Sequence, residues 1–179
     1  PKERSDVVLL MRLCSQDAFK EVSVTARAGG TGTNGQSLNS GVILDFSRYM
    51  TCILDYNDEA GWVRVQAGVV LDQLNDFLRE KGVFFAPHVA PSSRACIGGM
   101  IGTDACGQGS RLYGRTSAHV LDLELVLADG TVHHTQDIPQ SLAEKCRFQS
   151  SSDSEGIASQ ENWVMSPQDA EKGFQEKTV

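Results

Sequence analysis

Between Ala26 and Leu38 the chain reads Ala-Arg-Ala-Gly-Gly-Thr-Gly-Thr-Asn-Gly-Gln-Ser-Leu. Glycine lets backbone N–H groups crowd around an anion, because no Cβ blocks the approach. Hydroxyl and amide side chains and one guanidinium add further donors. The chemistry such a stretch offers is phosphate binding. A flexible surface turn is the plain alternative, and two glycines alone would suggest nothing more. A dense run of small and polar donors set between two apolar runs favours the cradle.

Two familiar motifs nearly fit this loop, and both fail on context. Gly30, Gly32 and Gly35 satisfy G-x-G-x-x-G, but that fingerprint must open a helix whose N-terminus faces a pyrophosphate. Here Val42–Phe46 follows too soon and reads as a strand. Gly30 and Gly35 also match the glycines of G-x-x-x-x-G-K-[ST], with Ser37 following, yet Gln36 stands where the lysine belongs. Without that cation the β and γ phosphates of a nucleoside triphosphate lose their main charge partner. What remains is a cradle between two strands.

A second dense stretch runs from Cys96 to Gly109 and carries Gly98, Gly99 and Gly102, then Thr103 and Asp104. A helix with three glycines is intrinsically poor, since each costs about 1 kcal/mol against alanine. Close packing on another backbone would excuse them, and so would a flat ligand. Donor-bearing glycine loops on both sides favour the ligand. Just upstream, Pro87 and Pro91 forbid regular structure, and Ser92, Ser93 and Arg94 offer donors.

The positioning elements read as a mixture of helices and strands. Ser5–Arg12 is expected to be a helix capped by Ser5, with Asp6 favouring its N-terminus. Val22–Thr25 and Val42–Phe46 read as strands on either side of the first loop. Cys52–Tyr56 and Trp62–Ala67 read as a hairpin, and Val63, Val65 and Ala67 alternate with Arg64 and Gln66. Leu71–Lys81 is an amphipathic helix with Gly82 as its C-cap. Leu121–Leu127 and Thr131–Thr135 pair through Asp129-Gly130. Gln149–Glu161 is rich in serine and acid, and Trp163, Val164 and Met165 form a small apolar patch. Residues 147–179 therefore read as a polar tail or linker. A helix almost directly after Pro1, with no strand before it, makes the chain read as an excised fragment.

In bulk, 179 residues make one domain's length. The net charge of −7, with basic residues scattered, argues against nucleic acid. Five cysteines, widely spaced and without a C-x-x-C pair, argue against a structural zinc site, an iron–sulfur cluster or a disulfide framework. No signal peptide and no membrane-spanning run are visible. A reducing, cytoplasmic setting suits this usage.

Taken together, several motifs occur in one order: Arg27-Ala28-Gly29-Gly30-Thr31-Gly32, Ala90-Pro91-Ser92-Ser93, Ile97-Gly98-Gly99 with Gly102-Thr103-Asp104-Ala105 and Gly107, Tyr113-Gly114, and His119 through Gly130. The series resembles the FAD-binding domain of the vanillyl-alcohol-oxidase/PCMH superfamily. Within it, the FAD-linked D-2-hydroxyacid dehydrogenases, including D-lactate and D-2-hydroxyglutarate dehydrogenases, are most similar. The resemblance covers about residues 5–135. It implies an α+β fold of two subdomains, 1–50 (its N-terminal strand missing) and 51–146, with FAD between them and without the C-terminal cap domain. Carried over, Gly29, Gly30, Thr31, Gly32, Thr33 and Asn34 hold the FAD pyrophosphate, with Arg27 and Gln36 nearby. Ser92, Gly98, Thr103 and Asp104 lie along the ribityl chain and isoalloxazine.

The resemblance also implies oxidation of a D-2-hydroxy acid to the 2-oxo acid, with hydride passing from Cα to flavin N5 and electrons then to a second acceptor. The flavin supplies the redox chemistry, and the protein supplies binding and orientation. Relatives often carry glycine where Ala28 stands. If that position needs positive φ, alanine costs about 1 kcal/mol or more. A relative with covalent FAD has histidine where Thr31 stands, so noncovalent FAD is expected. Long bacterial relatives carry an iron–sulfur module whose cysteine cluster is not found here. No catalytic base is assigned among His88, His119, His133 and His134; of these His119 is read as nearest the flavin side, with a packing or backbone-bonding role. The chain alone is expected to turn over little, to self-associate through an exposed flavin face, and to be cytoplasmic or peripheral to the inner membrane within its parent. Rival readings are the FAD domain of a cell-wall precursor reductase or molybdenum hydroxylase, and a nucleotide-phosphate module without redox chemistry.

Overall fold

A computed structural model describes residues 1–137, so the expectations for residues 147–179, the Trp163–Met165 patch and Cys146 fall outside the described residues. Helix α1 spans Arg4–Cys14. Its cap is Glu3 rather than Ser5. The Asp6 carboxylate accepts the backbone N–H of Lys2 at 2.7 Å and of Glu3 at 3.4 Å, closing the helix start. Ser5 lies inside the first turn and donates its hydroxyl to Glu3 Oε1 at 2.7 Å. Two acidic side chains thus do what one serine was expected to do.

Strand β1 (Val24–Arg27) and strand β2 (Val42–Asp45) pair in parallel, with Val24 opposite Val42 and Arg27 opposite Asp45. β1 starts two residues later than expected because Val22 is drawn into a turn, its N–H bonded to the Phe19 carbonyl at 2.8 Å. Parallel strands are usually joined through a helix. Here residues 28–41 make the crossover with no helix at all.

Strands β3 (Ile53–Asn57) and β4 (Trp62–Val65) form an antiparallel hairpin with an irregularity between Ile53 and Asp55. Helix α2 (Leu71–Arg79) buries Leu71, Leu74 and Leu78. It ends as predicted at Gly82: the Val83 N–H reaches the Leu78 carbonyl and the Gly82 N–H the Arg79 carbonyl, the paired bonds of a glycine C-cap. The core joins these leucines to Val69, Ala95, Ile97 and Met100. Residues 84–95 are irregular, and helix α3 (Ile97–Gly102) follows.

A helical turn, α4 (Ser110–Tyr113), and a 3-10 turn at Thr116–His119 lead to strands β5 (Glu124–Val126) and β6 (Val132–His134), which pair antiparallel through Asp129-Gly130. Both strands are shorter than expected because side chains replace ladder bonds at their open end. Leu123 N–H donates to Thr135 Oγ1 at 2.8 Å, and Asp122 Oδ1 takes the Gln136 N–H at 3.2 Å. The hairpin turn seats Gly130 against Val8 and Arg12 of α1, and Arg4 pairs with Glu124 at 2.8 Å.

Candidate functional site

The first glycine loop leaves the C-terminal end of β1, where parallel strands commonly present ligand sites. Its interior is filled from both flanks. A Cβ on Gly30, which has φ +61°, would meet the Arg27 guanidinium, and one on Gly32 would meet the Gln36 side-chain amide. Gln36 Oε1 accepts the Asn34 N–H at 3.1 Å, and Arg27 Nη1 donates to Ser37 Oγ at 3.4 Å. The backbone N–H groups of Gly30, Thr31, Gly32 and Thr33 find no acceptor among the described residues. A run of unclaimed amides around a left-handed glycine is the donor set an anion requires.

The return of the loop is tied down by Asn39, a residue that sequence reasoning missed. Its amide nitrogen donates to Thr25 Oγ1 at 3.0 Å, while its oxygen accepts the Ser23 hydroxyl at 2.7 Å and the Gly41 N–H at 2.9 Å. An asparagine two residues before a glycine signals such a turn. Ala28 needs no positive φ, since Asp104 is the one non-glycine residue with φ > 0 among the described residues. Alanine there carries no strain.

The second stretch is held beside the first. Residues 67–71 run against 95–98: Leu71 N–H bonds the Ala95 carbonyl at 2.9 Å, Ile97 N–H the Val69 carbonyl at 2.8 Å and Gly98 N–H the Ala67 carbonyl at 2.9 Å. Gly29 sits on the Arg94 carbonyl with no room for a Cβ, and a Cβ on Gly99 would lie 3.3 Å from that of Ala28. Buried Cys96, its thiol pushed up by burial, lies at this junction near the Gly29 amide.

The three glycines of α3 have different reasons. A Cβ on Gly98 would stand 2.7 Å from Ala67 Cβ and 2.9 Å from its carbonyl oxygen. That is close backbone packing, the explanation the sequence made second choice. Nothing lies within 4 Å of a Cβ on Gly102. Its cost to the helix is unexplained by the protein alone, as a ligand face would leave it.

A cleft of about 2750 Å³ is lined by both stretches, well above the few hundred to about 1000 Å³ of an ordinary ligand pocket. Arg27, Gly29, Gly30, Thr31, Gly32, Thr33, Asn34, Gln36, Gly98 and Thr103 lie on its wall. Ser92 and Asp104 do not. The Ser92 carbonyl takes the Asp72 N–H at 3.3 Å at the start of α2. Asp104, at φ +45°, accepts the Ser117 N–H at 3.0 Å and faces Arg115 at 3.6 Å. The Ser117 amide first, then Arg115, holds its carboxyl below the usual range. Thr103 donates its hydroxyl to the Gly99 carbonyl at 3.0 Å.

Of the histidines, His88 and His133 are exposed. His119 donates from Nε2 to the Tyr113 carbonyl at 2.7 Å and meets the Phe85 ring edge-on, the backbone-bonding role read for it from sequence. His134 Nδ1 lies 2.9 Å from Asp122 Oδ2.

The family model described as FAD binding domain matches residues 1–136. The chain is 53% identical over 144 residues to a D-2-hydroxyglutarate dehydrogenase of Escherichia coli and 54% identical to one of Pantoea ananatis, in each case covering 80% of this chain and 14% of the relative. It is 31% identical to a mitochondrial D-lactate dehydrogenase [cytochrome] of Kluyveromyces lactis, over 78% of this chain and 24% of that protein. This chain thus spans about one-seventh of the bacterial relatives. Among solved structures, alkyldihydroxyacetonephosphate synthase superposes with TM-score 0.66 at 19% identity over 80% of this chain and 26% of that one. 6-Hydroxy-D-nicotine oxidase of Arthrobacter nicotinovorans gives 0.63 at 24%, over 74% and 28%. These likenesses establish the shared fold.

Proposed function

The chain belongs to the FAD binding domain family, and on that footing we propose that it is the FAD-binding part of a flavin-dependent dehydrogenase acting on a D-2-hydroxy acid, D-2-hydroxyglutarate foremost. One observation carries the binding half: two glycine stretches far apart in sequence meet at Gly29–Arg94 and Ala28–Gly99, beside four unclaimed amides. The residues present suit noncovalent FAD. Gly29 to Asn34 would hold the diphosphate, with Arg27 and Gln36 inside the loop. Gly98, Gly102 and Thr103 would border the flavin chain and ring, while Ser92 and Asp104 would act by shaping the wall. Bound flavin supplies hydride acceptance, and this chain supplies grip and orientation.

The hydroxy acid itself is taken from the relatives' names and their 53–54% identity. The same reading includes a second electron acceptor, a division into subdomains at residues 1–50 and 51–146, self-association through the flavin face, and a cytoplasmic parent, peripheral to the inner membrane. Among the described residues, strands pair only within each side of residue 50, which supports the division. No helix among the described residues is long and apolar enough to cross a membrane.

An absorbance spectrum of the purified chain, taken before and after FAD addition and desalting, tests the proposal. Flavin bands that stay with the protein are expected. A colourless protein that is stabilised against heat by another nucleotide and not by FAD would overturn it. The hydroxy acid is tested separately, by D-2-hydroxyglutarate-dependent bleaching of the flavin in the full-length parent.

A further inference from the structure

Resting on the reading of residues 28–41 as a diphosphate cradle, we propose that Arg27 is a positioning residue that braces this loop from inside, and that its charge is not the counter-ion of the diphosphate. Arg27 ends β1 and stands in register with Asp45, which ends β2. Its Nε lies 4.0 Å from Asp45 Oδ2. Asp45 is kept ionised first by the Ser47 hydroxyl, which donates to Oδ1 at 2.6 Å, and also by Arg27 itself. Across the loop, Arg27 Nη1 donates to Ser37 Oγ at 3.4 Å. The remaining nitrogen, Nη2, underlies Gly30, where a Cβ would stand.

The guanidinium therefore spans three parts of the protein: Nε faces the neighbouring strand, Nη1 bonds the loop's exit, and Nη2 packs under its entry at Gly30. A counter-ion meets two phosphate oxygens through two parallel N–H bonds, whereas Arg27 turns Nε and Nη1 towards Asp45 and Ser37 and lays its plane under Gly30. Gln36 repeats the device from the other flank, filling the space under Gly32 and taking the Asn34 N–H. The loop is a shell of backbone around two planar side chains. Its glycines admit those side chains, and its unclaimed amides remain for the anion. Lysine keeps the charge but cannot make a planar, three-point brace.

The test uses the full 179-residue chain and three variants: Arg27→Lys, Arg27→Gln and Ser37→Ala. FAD dissociation constants are measured over a range of salt, and hydrogen exchange of residues 28–41 is followed without ligand. A brace predicts that Arg27→Lys weakens FAD about tenfold, as much as Arg27→Gln, the loss of a hydrogen bond to a charged group. Salt dependence stays that of the unaltered chain, and exchange quickens in 28–41 in all three variants, Ser37→Ala least. Arg27→Lys binding as tightly as the unaltered chain, or Arg27→Gln losing salt dependence as a screened charge pair would, overturns it. Unchanged exchange in all three variants also overturns it. If the unaltered chain takes up no FAD, the cradle reading falls, while the exchange measurement still decides the brace.

Discussion

Gly29 rests directly on the carbonyl oxygen of Arg94, so that the first glycine-rich loop meets the segment leading into the second through backbone. Neither partner can yield. The carbonyl belongs to a segment pinned by the Arg94 and Ala95 N–H bonds to Pro91, at 2.9 and 2.8 Å, and by the adjoining bond of Leu71 to Ala95. The junction fixes where the first loop stands relative to α3.

Gly29→Ala must therefore push the stretches apart. The expected cost is about 1–3 kcal/mol of stability, the usual range for an added methyl in a packed site. FAD affinity should fall by more than ten times as the cradle separates from α3. Thermal melting without ligand and an FAD titration check the two parts. Ala28→Gly is the control and should change FAD affinity little, because alanine there is unstrained.

Gly98 and Gly102, one helical turn apart, should respond in opposite directions. Gly98→Ala drives a methyl into Ala67 and should destabilise the ligand-free chain by about 1–3 kcal/mol. Gly102→Ala meets open space and should stabilise it by up to about 1 kcal/mol through helix propensity. FAD affinity should nonetheless drop in Gly102→Ala, since the methyl occupies the ligand's side. Melting curves with and without FAD separate the two effects; a Gly102→Ala chain that is both more stable and equally tight for FAD would remove Gly102 from the site.

Much of this was legible in the sequence because it is local. The helix-less crossover followed from how soon Val42 begins after Gly35, and the Gly82 cap from the end of an apolar period. The hairpin at Asp129-Gly130 followed from a turn dipeptide. Long-range contacts were not legible. Nothing near Gly98 reveals that Ala67 lies beneath it, so the backbone-packing reason for this glycine is not legible beside the ligand one. The cap of α1 was misread because Ser5 is the commoner capping type, while the Glu3–Asp6 exchange depends on two carboxylates meeting the same turn. Ser92 and Asp104 matched a family pattern by position, yet the Ser92 backbone is tied to Asp72, 20 positions away, and the Asp104 carboxylate to Ser117, 13 positions away, and Arg115.

Gly130 combines two constraints. It has φ +77°, and it is buried against Val8 and Arg12 of α1. Gly130→Ala should cost at least about 1 kcal/mol from backbone strain alone, with more from displacing the hairpin. Gly61 also has positive φ but faces open space, so Gly61→Ala should pay the strain without the displacement. The difference between the two melting temperatures measures how firmly the β5–β6 turn is seated on α1.

The acid limb of stability should carry a signature of Asp122. Its carboxyl is held down to about 2, chiefly by the Thr135 hydroxyl at 2.7 Å, with His134 and the Gln136 amide adding to it. A folded-state pKa below the unfolded value of 3.8 means that the ionised form stabilises the fold. That stabilisation is fully present above about pH 4 and is lost as pH falls towards 2. For this partly exposed group it is worth about 1 kcal/mol after solvent screening. Asp122→Asn should lower the melting temperature by about 2–4 °C at pH 7, and the gap to the unaltered chain should close near pH 2. Because the hydroxyl leads, Thr135→Val should bring the carboxyl back towards 3.8 further than His134→Ala does, read from the carboxyl carbon shift of Asp122 during an NMR titration. Thr135 also takes the Leu123 N–H, so its loss should open the end of the hairpin where side chains stand in for ladder bonds. Histidine dominating the titration instead would make the pair with His134, and not the hydroxyl, the anchor of that end.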